Sequence, residues 1–281
     1  MAEKIYWMDN DGGTIDLTDG VKYDILDGID GRWMPPFEMV SDEVYAVPGD
    51  YVRLRKTKTR EITLPIIVYG TSASDFLTNI RMLTDAFDPS KGDGVIRVDT
   101  NDSPSKTFLL TCHFSSGMSF PETYDTGNCT FRKFVATLQS HDVFWWNAVE
   151  NETLWAGDLA SHFYHTVTNS GDVDTYPIWD INGSATTVTA VLVANYTTGK
   201  WFNFTNMGGH LIIVYDHMIV DTRPGKRSAT INHTTNVFDH MDSYSTLFPL
   251  VPGVNKIFIE TTGGTLDTYA KCRWRDMYYG V

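Results

Sequence analysis

REITLPIIVYGTSASDFLTNIRMLTDAFDPSKGDGVIRVDT, residues 60–100, changes its hydrophobic period twice and sets the frame for the rest of the chain. Ile62, Leu64, Ile66 and Val68 occupy every second position before the run stops at Gly70, the pattern of a half-buried strand. Phe76, Ile80, Leu83 and Phe87 then recur at i, i+4, i+7 and i+11, one stripe of a helix, with Leu77 beside them. Ser72 and Asp75 stand at capping-box spacing, and Pro89 follows the helix end. Gly92 and Gly94 turn the chain into Val95, Ile96 and Val98, a second strand expected to pair beside the first. Such a helix needs a sheet to lie on, and no other segment reads as helix so clearly.

The surrounding composition points to sheet. The chain has 281 residues, 42% of them hydrophobic and 13% aromatic, which gives room for one large or two ordinary domains rich in residues that suit pleated surfaces. A net charge of −13 argues against a nucleic-acid binder, which needs an excess of Lys and Arg on some face, and against attachment to anionic membranes. There is no apolar run of membrane-spanning length, and MAEKIYWMDNDGG has neither the basic start nor the apolar core of a signal peptide. The expectation is a chain made and folded in a cytosol. Cys112, Cys129 and Cys272 cannot all pair, and reduced thiols are the default there, although Cys112 and Cys129 lie in neighbouring strand-like runs.

Charge is segregated along the first sixty residues. Residues 1–31 hold Glu3, Asp9, Asp11, Asp16, Asp19, Asp24, Asp27 and Asp30 against Lys4 and Lys22. DNDGG and DGIDG suggest a calcium loop, but neither continues with the later oxygen ligands, and turns built on Asp-Gly pairs explain them better. In residues 50–60, DYVRLRKTKTR, the sign reverses at Arg53, Arg55, Lys56, Lys58 and Arg60. In a strand Lys56, Lys58 and Arg60 would share one face. Two readings stand side by side: edge-strand protection by cations, or a basic surface that meets the acidic stretch, Asp9, Asp11, Asp27 and Asp30 among it, of a neighbouring copy.

Further on, residues 109–114 and 129–140 alternate like the arms of a long hairpin, which ends in HDVFWW. Phe144, Trp145 and Trp146 there read as packing at a domain junction, with a sugar platform as the lesser reading. Residues 147–174 are polar, lack periodicity and read as a linker. Eight or so short strands follow, at 176–181, 187–196, 200–205, 210–216, 217–222, 228–232, 256–261 and 270–279, which suggests a sandwich or jelly roll. There is no nucleophile elbow, zincin helix or phosphate loop, and the dispersed histidines, His162, His165 and His210 among them, find no third ligand at metal-site spacing. No cofactor or metal is expected. The N-x-[ST] triplets, such as those at Asn182 and Asn203, reflect abundant Asn and Thr.

Taken in order, these stations resemble the distal tail protein (Dit) family of long, non-contractile-tailed bacteriophages. REITLPIIVYG, a short helix and DPSKGDGVIRV resemble the family's N-terminal strand, helix and strand. LQSHDVFWW resembles its domain-ending strand, with Val143 where the family typically has proline. TYPIWDINGS, VANYTTGKWFNF, LIIVYDHMIVDTRPG and FPLVPGVNKIFIE, with a Pro-Gly-x-Asn turn at Pro252, Gly253 and Asn255, resemble its second domain.

The resemblance implies a mainly β fold: an N-terminal β-barrel-like or split-barrel domain with one α-helix, residues 1–146, that forms a ring, and a C-terminal galectin-like (jelly-roll) β-sandwich, residues 147–281. It implies a non-enzymatic virion protein at the tail tip, assembled in the bacterial host cytoplasm. Its partners would be further copies in a hexameric ring, the tail tube protein, and the tail hub, tape-measure and receptor-binding proteins. Neither sequence-specific nucleic acid nor membrane insertion is expected. An acidic lumen would let a genome pass without sticking, and a ring held by segregated charge should dissociate as salt screens it. The runner-up reading is a carbohydrate-binding module that uses Trp145, Trp146, Trp179 or Trp201, with a glycan as partner. A jelly-roll hydrolase with distant paired carboxylates comes third, since the sequence offers no nucleophile, base or metal.

Overall fold

The computed structural model describes residues 3–43, 48–118, 130–156, 164–183, 187–206, 211–213, 216–263 and 268–281. Cys129, His162 and His210 lie outside the described residues. The chain divides into two compact units, residues 1–148 with 278–281, and residues 149–277. The last four residues thus return to the first unit, whereas the sequence reading assigned all of 147–281 to the second.

The first unit carries strands β1 (Lys4–Met8), β2 (Thr14–Asp16), β3 (Tyr23–Ile25), β4 (Phe37–Glu43), β5 (Asp50–Thr57) and β6 (Arg60–Tyr69), then helix α1 (Ala73–Ala86), then β7 (Gly94–Asp99), β8 (Thr107–Gly117), β9 (Phe131–Ser140) and β10 (Trp145–Asn147). Its main sheet runs β2-β1-β7-β8-β9-β6-β3. Strand, helix and strand fall as the hydrophobic periods predict, but β6 and β7 are not neighbours, because β8 and β9 lie between them. The expected hairpin supplies those two strands. β8 is long enough to serve two sides: its first half pairs with β7 and β10, and beyond Cys112 it pairs with β9 through an irregularity between Phe114 and Ser116. Bulges bend and twist a strand, and this one curls the sheet toward a barrel around a single core.

Helix α1 buries Phe76, Asn79, Leu83 and Ala86, while Leu77 is exposed and takes no part in the stripe. Ser72 caps the helix by accepting from the Asp75 backbone N–H, and the Asp75 carboxylate accepts from Thr71 N at 2.8 Å. The shorter Asp thus reaches the residue before the cap rather than the cap itself. Three side-chain bonds pin the helix to the sheet. Asn79 Nδ2 donates to Tyr69 O at 2.8 Å, the Tyr23 hydroxyl donates to Asn79 O at 2.9 Å, and Trp7 Nε1 donates to Ala86 O at 2.7 Å, an orphan carbonyl of the last turn. β1, KIYWM, lies within the acidic stretch of residues 1–31 yet is an interior strand that carries buried Ile5 and Trp7.

In the second unit come β11 (Asn151–Ala156), β12 (Tyr164–Asn169), β13 (Ile178–Asn182), β14 (Ala190–Asn195), β15 (Lys200–Thr205), β16 (His217–Asp221), β17 (Ser228–Ile231), β18 (Thr235–Asn236), β19 (Gly253–Thr262) and β20 (Tyr269–Trp274), with β21 (Met277–Tyr278) at the crossing back. A six-stranded sheet, β11-β20-β13-β16-β17-β18, and a four-stranded sheet, β12-β19-β14-β15, share one core that includes Trp179, Ile181, Val193, Phe202, Phe248 and Ile257. This is the expected sandwich. The supposed linker, however, contains β11 and β12, each pairing along one side only at the edge of its sheet. β12, YHTVTN, buries only Val167 and Asn169, so it offers too little apolar alternation to be read as a strand. Ile212 makes an isolated bridge to Val188, while residues 210, 214 and 215 of the expected strand lie outside the described residues.

The Pro-Gly-x-Asn turn has a direct physical cause. Gly253 has φ +89°, which favours glycine, and the buried Asn255 side chain closes the turn by donating to Val251 O at 2.8 Å and accepting from Val251 N at 3.0 Å. Asn195 donates to the same carboxamide at 3.0 Å and so ties the β14–β15 turn to this one.

Candidate functional site

Among the described residues no group of three or more His, Cys, Asp or Glu side chains is gathered where it could hold a metal ion, and no helix is long and apolar enough to cross a membrane. One polar constellation draws the eye of an enzymologist. His217 Nδ1 lies 3.0 Å from Asp180 Oδ1, and its Nε2 lies 2.8 Å from Asn182 Nδ2. Both ring nitrogens are therefore engaged, the second by an amide rather than by a nucleophilic hydroxyl or thiol. Burial pushes the Cys112 thiol up to about 12 and the Cys272 thiol well above its usual value, so neither is a thiolate nucleophile near neutral pH. Both are free.

The surface that stands out is the hairpin β4–β5, a two-stranded sheet separate from the main one. Its register sets Val40 against Leu54 and Glu38 against Lys56, and on the opposite face Met39 against Arg55 and Phe37 against Thr57. An irregularity follows between Val40 and Ser41. All of β5 but Thr57 is exposed, including Tyr51 at 67% and Leu54 at 54%, and Met39 across from it is 63% exposed. Apolar side chains thus lie bare on both faces. A lone two-stranded hairpin is marginal in water, and packing on a further surface is what stabilises such an element.

The basic candidates separate into three groups. Arg53 pairs with Asp42 at 3.1 Å and Lys58 with Glu38 at 3.5 Å, both across the hairpin and both exposed, so they contribute little to stability. Arg55 and Lys56 are exposed and have no ion pair among the described residues. Arg60 belongs elsewhere. The strand breaks at Lys58 and Thr59, so Arg60 opens β6 and turns inward, fully buried, where the expected basic edge would have exposed it. Its guanidinium donates to Arg32 O at 3.1 Å, to Trp33 O at 3.2 Å and to Tyr279 O. Burial pulls its pKa down to about 10, which leaves it charged at neutral pH. Arg60 is a core strut and not an interface residue.

The acidic candidates lie on turns. Asp9 Oδ1 accepts from Gly13 N in the β1–β2 turn, and Asp11 stands 3.9 Å from Lys91, which is held closer by Asp85 at 2.8 Å. Asp27 and Asp30 follow β3, with Asp30 Oδ1 accepting from Gly31 N. Gly31, at φ +76°, presses so close to β6 that a Cβ would lie 1.7 Å from Glu61 O. Among the described residues none of these four acids pairs with Arg53, Arg55, Lys56 or Lys58; Arg53 pairs with Asp42 and Lys58 with Glu38 instead.

The aromatic candidates also sort by burial. Trp145 is buried and donates to Arg32 O at 3.0 Å, and Phe144 meets Tyr279 edge-on at 5.8 Å. Trp146 is half-buried, in β10 beside Leu109. Val143 before them has φ +59°, a conformation that proline, with φ near about −65°, cannot adopt. Trp179 is fully buried, stacked on Trp155 at 5.8 Å, so neither it nor Trp145 serves as a sugar platform. Only Trp201 of the sandwich candidates reaches a surface, on the outer face of the four-stranded sheet.

No protein-family model matches the chain, and no curated protein matches it significantly. Solved structures do match. The Dit protein (gp 19.1) of phage SPP1, described as a paradigm of the hub adsorption apparatus in Gram-positive infecting phages, superposes with a TM-score of 0.71 at 16% identity, over 97% of this chain and 98% of that one. Chains of the phage P2 baseplate in its activated conformation, solved with Ca and with Sr, each match with a TM-score of 0.54 at 9% identity over the whole of both chains. At such identities what is shared is the fold, mainly β with one α-helix among the described residues of the first unit, and over its full length it is the fold of a phage distal tail (Dit) protein.

Proposed function

We propose that this protein is a structural component of a phage tail tip, one of several identical subunits in a ring, six by the resemblance read from its sequence, that joins the tail tube to the tip and its receptor-binding proteins. In this reading residues 1–148 with 278–281 build the ring, and the galectin-like sandwich of residues 149–277 points outward to hold tip proteins. The observation that carries it is the hairpin β4–β5, apolar on both faces and bare in the single chain. A neighbouring copy is the occupant that such a hairpin fits, because every subunit brings one hairpin and one receiving surface, and repetition closes into a ring. Kinship in fold with a hub protein and with baseplate chains supports the same role.

The contact is chiefly apolar. Arg53 and Lys58 already have partners across the hairpin and Arg60 is buried, which leaves Arg55 and Lys56 to seek acids on a neighbour. The salt-sensitive ring expected from segregated charge therefore gives way to one that survives high salt. Native mass measurement of the purified protein checks this. The oligomer persists at ~1 M salt, where the Debye length is only about 3 Å. Leu54→Glu raises its dissociation constant at least about tenfold, and Leu77→Ala, an exposed change on α1, does not. A monomer at every concentration, or a ring indifferent to Leu54→Glu, ends the reading.

A further inference from the structure

A row of residues crosses the outer face of the four-stranded sheet, one from each strand: Tyr164 of β12 opposite Phe258 of β19, Phe258 opposite Ala194 of β14, and Ala194 opposite Trp201 of β15. Directly opposed residues share a face, so the small Ala194 lies between two aromatics. With strands about 4.8 Å apart, Phe258 and Trp201 are separated by about 10 Å, and the space over Ala194 is open. A hollow of ≈ 420 Å³ lies there, walled by Tyr196 and Trp201, floored by Leu192 and Ala194, and edged by Lys200 and Asn203. On its far side Tyr164 and Tyr196, each more than half exposed, meet edge-on at 4.9 Å and cover Phe258, and Lys256 lies 6.0 Å from the Tyr164 ring.

Polar groups of both kinds surround this hollow without internal partners. Among the described residues the Trp201 indole N–H, the Asn203 carboxamide and the Lys200 ammonium make no hydrogen bond within the chain. Glu260 stands opposite Leu192 on the same face, in line with Asn203. The walls are held in place beforehand. The turn from Tyr196 to Gly199 is closed by Asn195, whose Oδ1 accepts from Thr197 N at 3.0 Å and whose backbone carbonyl accepts from Gly199 N at 2.8 Å. Asn195 is itself anchored to Asn255. A ligand that enters therefore orders little.

We infer that this hollow is a saccharide-binding site: one sugar ring lies with its C–H face on Trp201 above Ala194, and its hydroxyls are taken by Asn203, Lys200 and Glu260. A sugar has one apolar face and a rim of paired donors and acceptors, which matches a flat aromatic beside a carboxamide, a cation and a carboxylate. A peptide added as a strand would use a sheet edge, whereas the hollow lies on the face. This site stands or falls independently of the ring, since it involves only the second unit.

The test uses the full chain on a glycan array, followed by calorimetric titration with maltose, lactose, cellobiose and N,N′-diacetylchitobiose. At least one arrayed glycan binds the wild type. Trp201→Ala weakens it at least about tenfold by removing the stacking plane. Ala194→Leu, which fills the floor without removing a polar group, weakens it as much, and Leu77→Ala in the other unit changes nothing. Thermal unfolding of each variant separates loss of binding from loss of fold. The inference is overturned if no glycan binds the wild type, or if binding survives both substitutions. It is equally overturned if no sugar binds and Ala194→Leu alters the native mass, because the face is then a contact between copies.

Discussion

Arg60 shows how much a single residue can change its meaning between sequence and structure. Read in the run of Arg53, Arg55, Lys56 and Lys58 it is one more surface cation, but its guanidinium is buried and saturates three backbone carbonyls, including that of Tyr279 near the end of the chain. Removing one partner of a buried bond costs the desolvation of those left behind. Arg60→Met should therefore destabilise the first unit by about 2–4 kcal/mol, seen as a lower urea midpoint; an unchanged midpoint would mean that the three carbonyls find water instead. The alternation rule placed Arg60 on an exposed edge only because it assumed an unbroken strand through Thr59. Trp179 teaches the same lesson, since no local pattern tells a buried tryptophan from a displayed one. Trp201 was within reach of sequence reasoning, as the outward partner of buried Phe202 in an alternating strand.

At the scale of the element, helix α1 was almost wholly legible, because its cap, its stripe and its stop are local. Leu77 was the exception: it sits one position past Phe76, and the helix turns it to solvent. The cap predicts a pH dependence. The Asp75 carboxyl is held below its usual range, first by the Thr71 backbone N–H and then by the Thr71 hydroxyl, and Asp88 likewise by the Ser90 backbone N–H and then its hydroxyl. A carboxyl whose folded pKa is depressed contributes stability that is fully present above the unfolded value of about 3.9 and is lost as pH falls through the folded one. The gap in urea midpoint between wild type and Asp75→Asn should be full at pH ~6 and shrink below pH ~4. A gap that stays constant to pH ~2 would show that the amide side chain fails for a reason other than charge. Hairpin β4–β5 is the converse case. Its strand character and its cations were readable, but its isolation from the main sheet was not, and that isolation is what leaves its apolar faces bare.

At the scale of the molecule, the chain does not simply finish its first unit and begin its second. Residues 278–281 return to the first, where Tyr278 packs edge-on against Phe108 at 5.1 Å, Tyr279 meets Phe144 and accepts from Arg60, and Val281 is buried in the core. Ending the chain at Met277 should therefore lower the stability of the first unit by about 3 kcal/mol or more, measured as the urea midpoint of that unit followed by exchange of its β6 amides. A loss confined to the second unit would refute the assignment. By itself the sequence determined what short-range physics controls: the hydrophobic periods of the central strand and helix, the helix cap, the turn that needs Gly253, and a composition that can only bury itself as sheet. Its likeness to one family in the order of such local stations is of the same kind. The tertiary structure alone decided which strands lie side by side, that a polar stretch makes two edge strands, that Arg60 is inside, and that Ala194 floors a hollow beside Trp201 and Tyr196. Those facts rest on contacts between residues far apart in the chain, whose pairing is selected by the burial of the whole core and leaves no periodic trace in any one segment.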